Sequence, residues 1–299
     1  MMLLDFKIMP IHRTQAPEIH ESTAPDLQKA FDYPFQTEDT PTEEITEGRY
    51  LVRFARTPEE IDAALRLRFS VFNLELKEGL DSSFITERDE DEFDSTCHHL
   101  IVIEKLTNTV VGTYRLRTLE MAKNPSGFYS SGEFRLEDLP PEVLANSLEI
   151  GRSCIAREHR NTRVLFLLWK GLAMYATKMR KRYLFGCCSL STLDCSEGKR
   201  AAKKLKELNA LHPEIRVDSR QECQCRPEDF LTPDVTKEVE LPKLFNTYLR
   251  IGAKVCGEPA IDRHFKTIDF FVLFDIKTIE ERYYQMFFLP LEHLKIAVE

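Results

Sequence analysis

A strand–helix–strand block in the middle of the chain sets the terms for its fold. Residues 162–182 place Val164, Leu165, Leu168, Leu172, Tyr175, Ala176 and Met179 at helical spacing, which makes one apolar stripe. The last turn, 178–182, is rich in lysine and arginine, where the helix dipole favours cations. On either side, 148–155 (LEIGRSCI) and 183–188 (YLFGCC) read as strands. Strands are also expected at 50–55, 100–104, 110–116 and 267–275. Helices are expected from Thr57-Pro58, where Thr caps and Pro opens the first turn, and at 197–211, 241–251 and 280–288. Residues 74–94 read as a long polar loop and 121–141 as irregular chain with short helical pieces. The order implies an α/β or α+β layered fold, one domain from about residue 49 to 299.

The first 48 residues differ from the rest. They hold ten acidic and three basic residues and five prolines, and read as an extended, loosely ordered arm. Without it the chain, net charge −8 overall, is close to neutral. Two segments of opposite sign then stand out. Residues 87–94 (ERDEDEFD) have six carboxylates and one arginine; residues 157–206 have thirteen basic residues against three acidic ones. Two solvated faces are one reading. The other is an acidic partner steered onto the basic face. Nucleic acid is not expected, because no zinc-finger, helix-turn-helix or RRM signature occurs.

Hydrophobic residues make up 42% and charged residues 30%, a globular balance that excludes collagen, extensive disorder and a disulfide scaffold. No apolar run approaches the ~20 residues of a membrane span, and no secretory signal is read at the N-terminus. A cytoplasmic location is expected, with peripheral contact at the inner membrane left open. The eight cysteines read as free, partly buried thiols of a reduced chain, and neither Cys187-Cys188 nor Cys223-x-Cys225 has zinc-site spacing. No metal site is expected.

Charged residues in a buried strand are expensive unless paired or used. Glu149 and Arg152 stand three apart in LEIGRSCI, on opposite faces of a regular strand. A bulge at Gly151 would bring them together. One reading is a salt-bridge network with Arg115. The other is a proton-accepting carboxylate with an arginine that positions it. Arg157, Arg160 and Arg163 lie just before the long helix, either as simple N-terminal solvation or as an anion site. There is no GxGxxG, no P-loop and no G-x-S-x-G elbow. His98-His99 read as structural histidines, and Trp169 and the phenylalanines of 270–274 as core.

With these segments in place, the run from Tyr50 to Asp275 resembles the bacterial GNAT-like acyltransferases of the ornithine lipid synthase, or "hemolysin-like", family. These are related to acyl-homoserine-lactone synthases and long-chain N-acyl amino acid synthases. The match is carried by LRLRFSVFNLE (65–75), DEDEFDSTCHHLIV (89–102), VVGTYRLR (110–117), SGFYSSGEFRL (126–136), LEIGRSCIAREHR (148–160), LFLLWKGLAMY (165–175) and YLFGCCS (183–189). FNTYLRIGAKVCGEPAID (245–262) and TIDFFVLF (267–274) extend it.

The resemblance implies a twisted mixed sheet flanked by helices, with the acyl thioester where the strands at 148–155 and 183–188 diverge. It implies transfer of a fatty acyl group from acyl carrier protein to the amine of an amino acid such as ornithine. By position, Glu149 becomes the base and Arg152 its partner. Arg68, Phe72, Asp91, Asp94 and Arg115 shape the amine pocket. Ser153, Cys154, Ile155, Arg157, Arg160 and Arg163 meet the acyl-phosphopantetheine arm. The 157–163 loop, REHRNTR, lacks the glycines that cradle pyrophosphate in acetyl-CoA enzymes of this fold. That makes acyl-CoA the weaker expectation as donor, with no tightly bound cofactor. An acyl-homoserine-lactone-type synthase and a non-catalytic acyl- or carrier-binding protein are the alternatives.

Overall fold

The computed structural model describes residues 34–123, 126–231 and 238–291. Most of the acidic arm, 1–33, lies outside the described residues. In chain order the elements begin with β1 (Ile45–Glu47), β2 (Tyr50–Phe54), α1 (Pro58–Phe69), α2 (Ser83–Thr86), β3 (His98–Glu104) and β4 (Thr109–Thr118). They continue with α3 (Pro141–Ala145), β5 (Ser147–Ile155), α4 (Thr162–Lys178), β6 (Tyr183–Leu190) and α5 (Cys195–Glu207). The last are α6 (Lys243–Ile251), β7 (Lys254–Val255), β8 (Ala260–Asp262), β9 (Thr267–Asp275) and α7 (Glu281–Phe287).

Among the described residues the strands form one sheet in the order β1-β2-β3-β4-β5-β6-β9-β7, with β8 also paired to β9. β1 lies inside the acidic segment, so the sheet begins before residue 49. Neighbours are antiparallel except β5 and β6, which run parallel. The α4 helix joins that pair. Asn161 caps it, its side chain accepting from Val164 N at 3.1 Å. Its buried face packs on the β-sheet core of Leu100, Val102, Leu116, Leu148 and Leu184. Gly171 permits this approach: a Cβ there would stand 2.7 Å from Leu100.

The α1 helix starts as its sequence dictates, with Thr57 capping Glu60 N and Pro58 in the first turn. It runs straight into a wider π-turn, Ser70–Leu76, closed by Lys77 in the left-handed region. Such turns recur at functional sites, and this one projects Phe72 inward. The cysteine expectation needs one correction: Cys195 and Cys225 form a disulfide that ties the start of α5 to the loop after it. The six other cysteines are free. Among the described residues no helix is long and apolar enough to cross a membrane.

Candidate active site

Register alone creates an opening. β5 and β6 pair over Ser147–Tyr183, Leu148–Leu184 and Glu149–Phe185, and no further. Their neighbours remain paired beyond that point: β6 follows β9 along its full length. The two strands therefore part like a V. At the vertex Gly186 meets Ile150 so closely that a Cβ would lie 2.2 Å from its carbonyl oxygen. On the other side of β5 a bulge interrupts pairing with β4, between Thr113–Cys154 and Arg115–Gly151. Arg152, not Gly151, absorbs the strain, with φ of 49°.

A cavity of about 290 Å³ passes through this opening. Residues paired across strands share a sheet face. By register, Arg117, Glu149, Phe185 and Leu273 lie on one face, as do Ser189 and Asp269 further along. Leu148, Leu184 and Phe274 lie on the opposite face, under α4. The cavity wall changes accordingly. On the α4 side it is apolar: Trp169, Leu184, Phe245, Val272 and Phe274, with Tyr114 and Tyr248 at the boundary. Their hydroxyls lie 2.5 Å apart, and Ser153 lines the cavity with them. Burial pushes the Tyr114 phenol up to about 12, so it stays protonated. The other face presents Glu78, Arg115, Glu149, Arg152 and Asp269, with Phe72 beside them.

The acidic 87–94 segment is a solvated face only in part: Glu87, Glu90 and Glu92 are exposed, while its three aspartates turn inward. Arg68, fully buried, donates to Asp89 at 2.7 Å and Asp94 at 2.6 Å. Arg115 donates to Asp94 at 2.9 Å and also to Asp91. Arg152 reaches Asp91 at 3.0 Å and Asp89 at 3.2 Å. Three arginines thus face three aspartates. Burial works against a charged Asp91, but Arg115 and Arg152 outweigh it and hold the carboxyl below its usual range. Burial opposes the charge on Asp94 too, and Arg68 and Arg115 hold it far below.

Glu149 stands apart from this network. Its carboxylate accepts from the backbone N–H of Ser130 at 2.7 Å and of Tyr129 at 2.9 Å. The bulge therefore separates Glu149 from Arg152 instead of joining them, and of the two only Arg152 enters the network with Arg115. Phe72 packs edge-on against Phe265, and the Arg152 guanidinium sits 4.4 Å from the Phe265 ring centre.

On β5, Ser153 and Ile155 follow the strained Arg152, while Cys154 is buried against Val71, Phe72 and Phe265. Of the three loop arginines, Arg160 is held by Glu75 at 2.7 Å and by the Ile155 carbonyl at 3.0 Å. Arg163 lies 4.0 Å from Glu47. Arg157 is exposed. His98 meets Tyr175 and the Glu38 carbonyl at 2.8 Å each, and His99 meets the Asp94 carbonyl at 2.9 Å. Both histidines are structural, as expected. Trp169 and Phe274 are core residues that also line the cavity.

Sequence reasoning missed Glu78, Glu133 and Asp269. Asp269 carried the signal that revealed Glu149, a carboxylate inside an apolar strand (TIDFFVLF). Burial raises the Glu78 carboxyl to about 7, against a hydrogen bond from Ser191.

Residues 67–170 match the acetyltransferase (GNAT) domain family. The chain is 33% identical to an L-ornithine N(alpha)-acyltransferase of Rhizobium meliloti (strain 1021), over 77% of this chain and 81% of that one. It is also 33% identical to an L-ornithine N(alpha)-acyltransferase of Brucella abortus (strain 2308), over 79% and 88%. Among solved structures it is similar to the AHL synthase LasI, at 13% identity and a TM-score of 0.44, over 81% of this chain and 96% of that one. The chain belongs to the L-ornithine N(alpha)-acyltransferase family and is an N-acyltransferase.

Proposed function

We propose that the protein moves a fatty acyl group from the phosphopantetheine arm of acyl carrier protein to the α-amine of ornithine or a closely related amino acid. The supporting observation is the cavity that pierces the sheet where β5 and β6 part, apolar on the α4 side and carboxylate-lined on the other. The thioester carbonyl sits in the opening, the acyl chain runs toward Phe245 and Phe274, and the amine approaches over Glu149. An amino acid amine is mostly protonated at neutral pH and needs to lose a proton before it attacks. Glu149 accepts that proton directly or through one water. The nitrogen lone pair then adds to the thioester carbon, and the carbon–sulfur bond breaks as the tetrahedral intermediate collapses. The thiolate takes up the proton that the adduct nitrogen sheds, relayed through the hydroxyls of Tyr114, Tyr248 and Ser153 at the boundary, which end the step protonated as they began.

Arg68, Asp91, Asp94, Arg115 and Arg152 hold the amine side in shape, with Phe72. Ser153, Cys154 and Ile155 offer strand backbone to the arm. Arg157, exposed and at the start of the basic segment, receives the acidic carrier, with Arg160 and Arg163 beside it. Leu74, Leu76, Phe84 and Ile85 are exposed, and Leu76 also lines the cavity; they suit a peripheral contact through which an amphiphilic product reaches a bilayer.

Acyl carrier thioester and acyl-CoA are each supplied with a panel of amino acids and with S-adenosylmethionine, and products are read by mass spectrometry. Open N-acyl amino acid from the carrier thioester is expected. A lactone product, or no consumption of thioester by folded protein, overturns the reading. Glu149→Gln is expected to lower turnover by ~10²–10⁴-fold while carrier binding persists.

A further inference from the structure

A second group of carboxylates, Glu78 and Asp269 in the wall of the same cavity and Glu133 beside them, takes no part in the steps above. Asp269 on β9 stands opposite Ser189 of β6, on the Glu149 face of the sheet. Glu133 belongs to the turn whose Tyr129 and Ser130 N–H groups hold Glu149. Ligating atoms of Glu133, Asp269 and Cys187 all lie within 4.8 Å of one another. Glu133 and Asp269 are 5% and 3% exposed. Glu78, just past the π-turn, lines the same cavity as Asp269 and is buried as well.

Two further observations point to a missing cation. Among the described residues, none of these three carboxylates takes part in an ion pair. The nearby arginines are committed elsewhere: Arg152 to Asp89 and Asp91, Arg263 to Asp229 at 2.6 Å. In addition, Glu133 Oε1 and Asp269 Oδ1 are fully buried with no hydrogen-bond partner. Buried polar atoms are nearly always satisfied, and unpaired buried acids are expensive. The two residues also front on different spaces. Asp269 lines the sheet-piercing cavity, and Glu133 lines a second one bounded by Tyr129, Arg152 and Asp262.

Resting on the acyl-transfer reading above, we propose that Glu133 and Asp269, with Glu78, receive a second ammonium group on the acceptor, so that the enzyme selects amino acids with a cationic side chain. Cys187 links the two centres: its Sγ lies 3.6 Å from the hydroxyl of Ser130, whose N–H holds Glu149, and 3.9 Å from Glu133. It is two residues along β6 from Phe185, the register partner of Glu149. Two residues of strand rise span about 6.6 Å, the length scale that separates the amines of an α-amino acid with an ammonium on a short alkyl arm. An –NH₃⁺ has three donors and no acceptor, which matches carboxylate oxygens left without a donor. The Cys187 thiol is kept protonated by burial and by Glu133 beside it, which disfavours a metal at the same atoms, since metals take the thiolate.

The test compares ornithine with norvaline, which has the same carbon skeleton without the second amine. Binding is followed by titration calorimetry on the full chain, and kcat/KM is measured with one acyl thioester. Wild type is expected to prefer ornithine by about 10–150-fold, the range of a charge-assisted buried hydrogen bond. Asp269→Asn and Glu133→Gln, checked for folding by thermal melts, are expected to reduce that ratio at least about tenfold, mainly through ornithine KM. Equal wild-type affinity for the two amino acids overturns the proposal without needing a variant. So does a zinc-induced rise in Tm that both variants abolish while the ornithine ratio is unchanged. Calorimetry tests the receptor even if no thioester is consumed, so failure of the acyl-transfer reading is distinguished from failure of this one.

Discussion

Two buried groups of acids lie on the same side of the protein, and they are built on opposite principles. Asp89, Asp91 and Asp94 are each met by arginine, and the set is electrically balanced. Glu78, Glu133 and Asp269 have hydroxyl, thiol and carboxyl neighbours and, among the described residues, no cation. The first group is finished by the fold itself: it clamps α1, the 87–94 segment, β4 and β5 together. The second is left incomplete by the fold, and its acids are pushed upward where the first group's Asp91 and Asp94 are pulled down. The same residue type can thus serve architecture or reception, depending on whether the chain supplies the counter-charge.

The most forceful way to break the contrast is to unbalance the first group. Arg68→Met leaves Asp89 and Asp94 short of a buried partner, and an expected loss of about 3–5 kcal/mol is read by denaturant unfolding. A variant as stable as wild type would show that the cluster is not a clamp. Acid provides a milder break. Asp91 and Asp94 have folded-state pKa values below their unfolded ones. Their contribution is therefore fully present above about pH 4 and is lost as pH falls through the depressed values. Melting curves from pH 7 downward are expected to hold level and then fall below that point, with a shallower fall in Asp94→Asn, which lacks one of the two depressed carboxyls. The smallest effect sharpens the other side. Glu78, raised to about 7, is neutral below that pH and anionic above it. The value of kcat/KM for ornithine is expected to gain up to about tenfold per pH unit through this range beyond the slope that remains in Glu78→Gln. Identical profiles for the two proteins would remove Glu78 from the cation wall.

Much of this was legible in the residues. Thr57-Pro58 announced α1, the Val164-to-Met179 stripe announced α4, and an acid and an arginine within LEIGRSCI marked β5 as special. Other parts had no signal to read. β7 and β8 are two and three residues long, too short for alternation to show. β1 sits in acidic, proline-rich chain whose composition argues for no strand at all. Cys195 and Cys225 are 30 residues apart, and spacing alone never names a pair. Glu78 follows a π-turn, where helical periodicity breaks. The bulge was expected at the permissive Gly151, whereas the left-handed residue is Arg152, whose guanidinium is held by Asp89 and Asp91. Asp269 and Glu149 bore the same mark, but only one of them stood in a segment already under suspicion.

The passage through the sheet separates two choices that most binding pockets mix. On the proposed reading, the tail is chosen beneath α4, by bulky residues on α6 and β9, and the head on the far side, by acids on β9 and the 129–134 turn. Exchanging Phe245 for a smaller side chain would therefore retune the tail while leaving the head's selectivity alone, so descendants of this chain could alter either end of their product one substitution at a time.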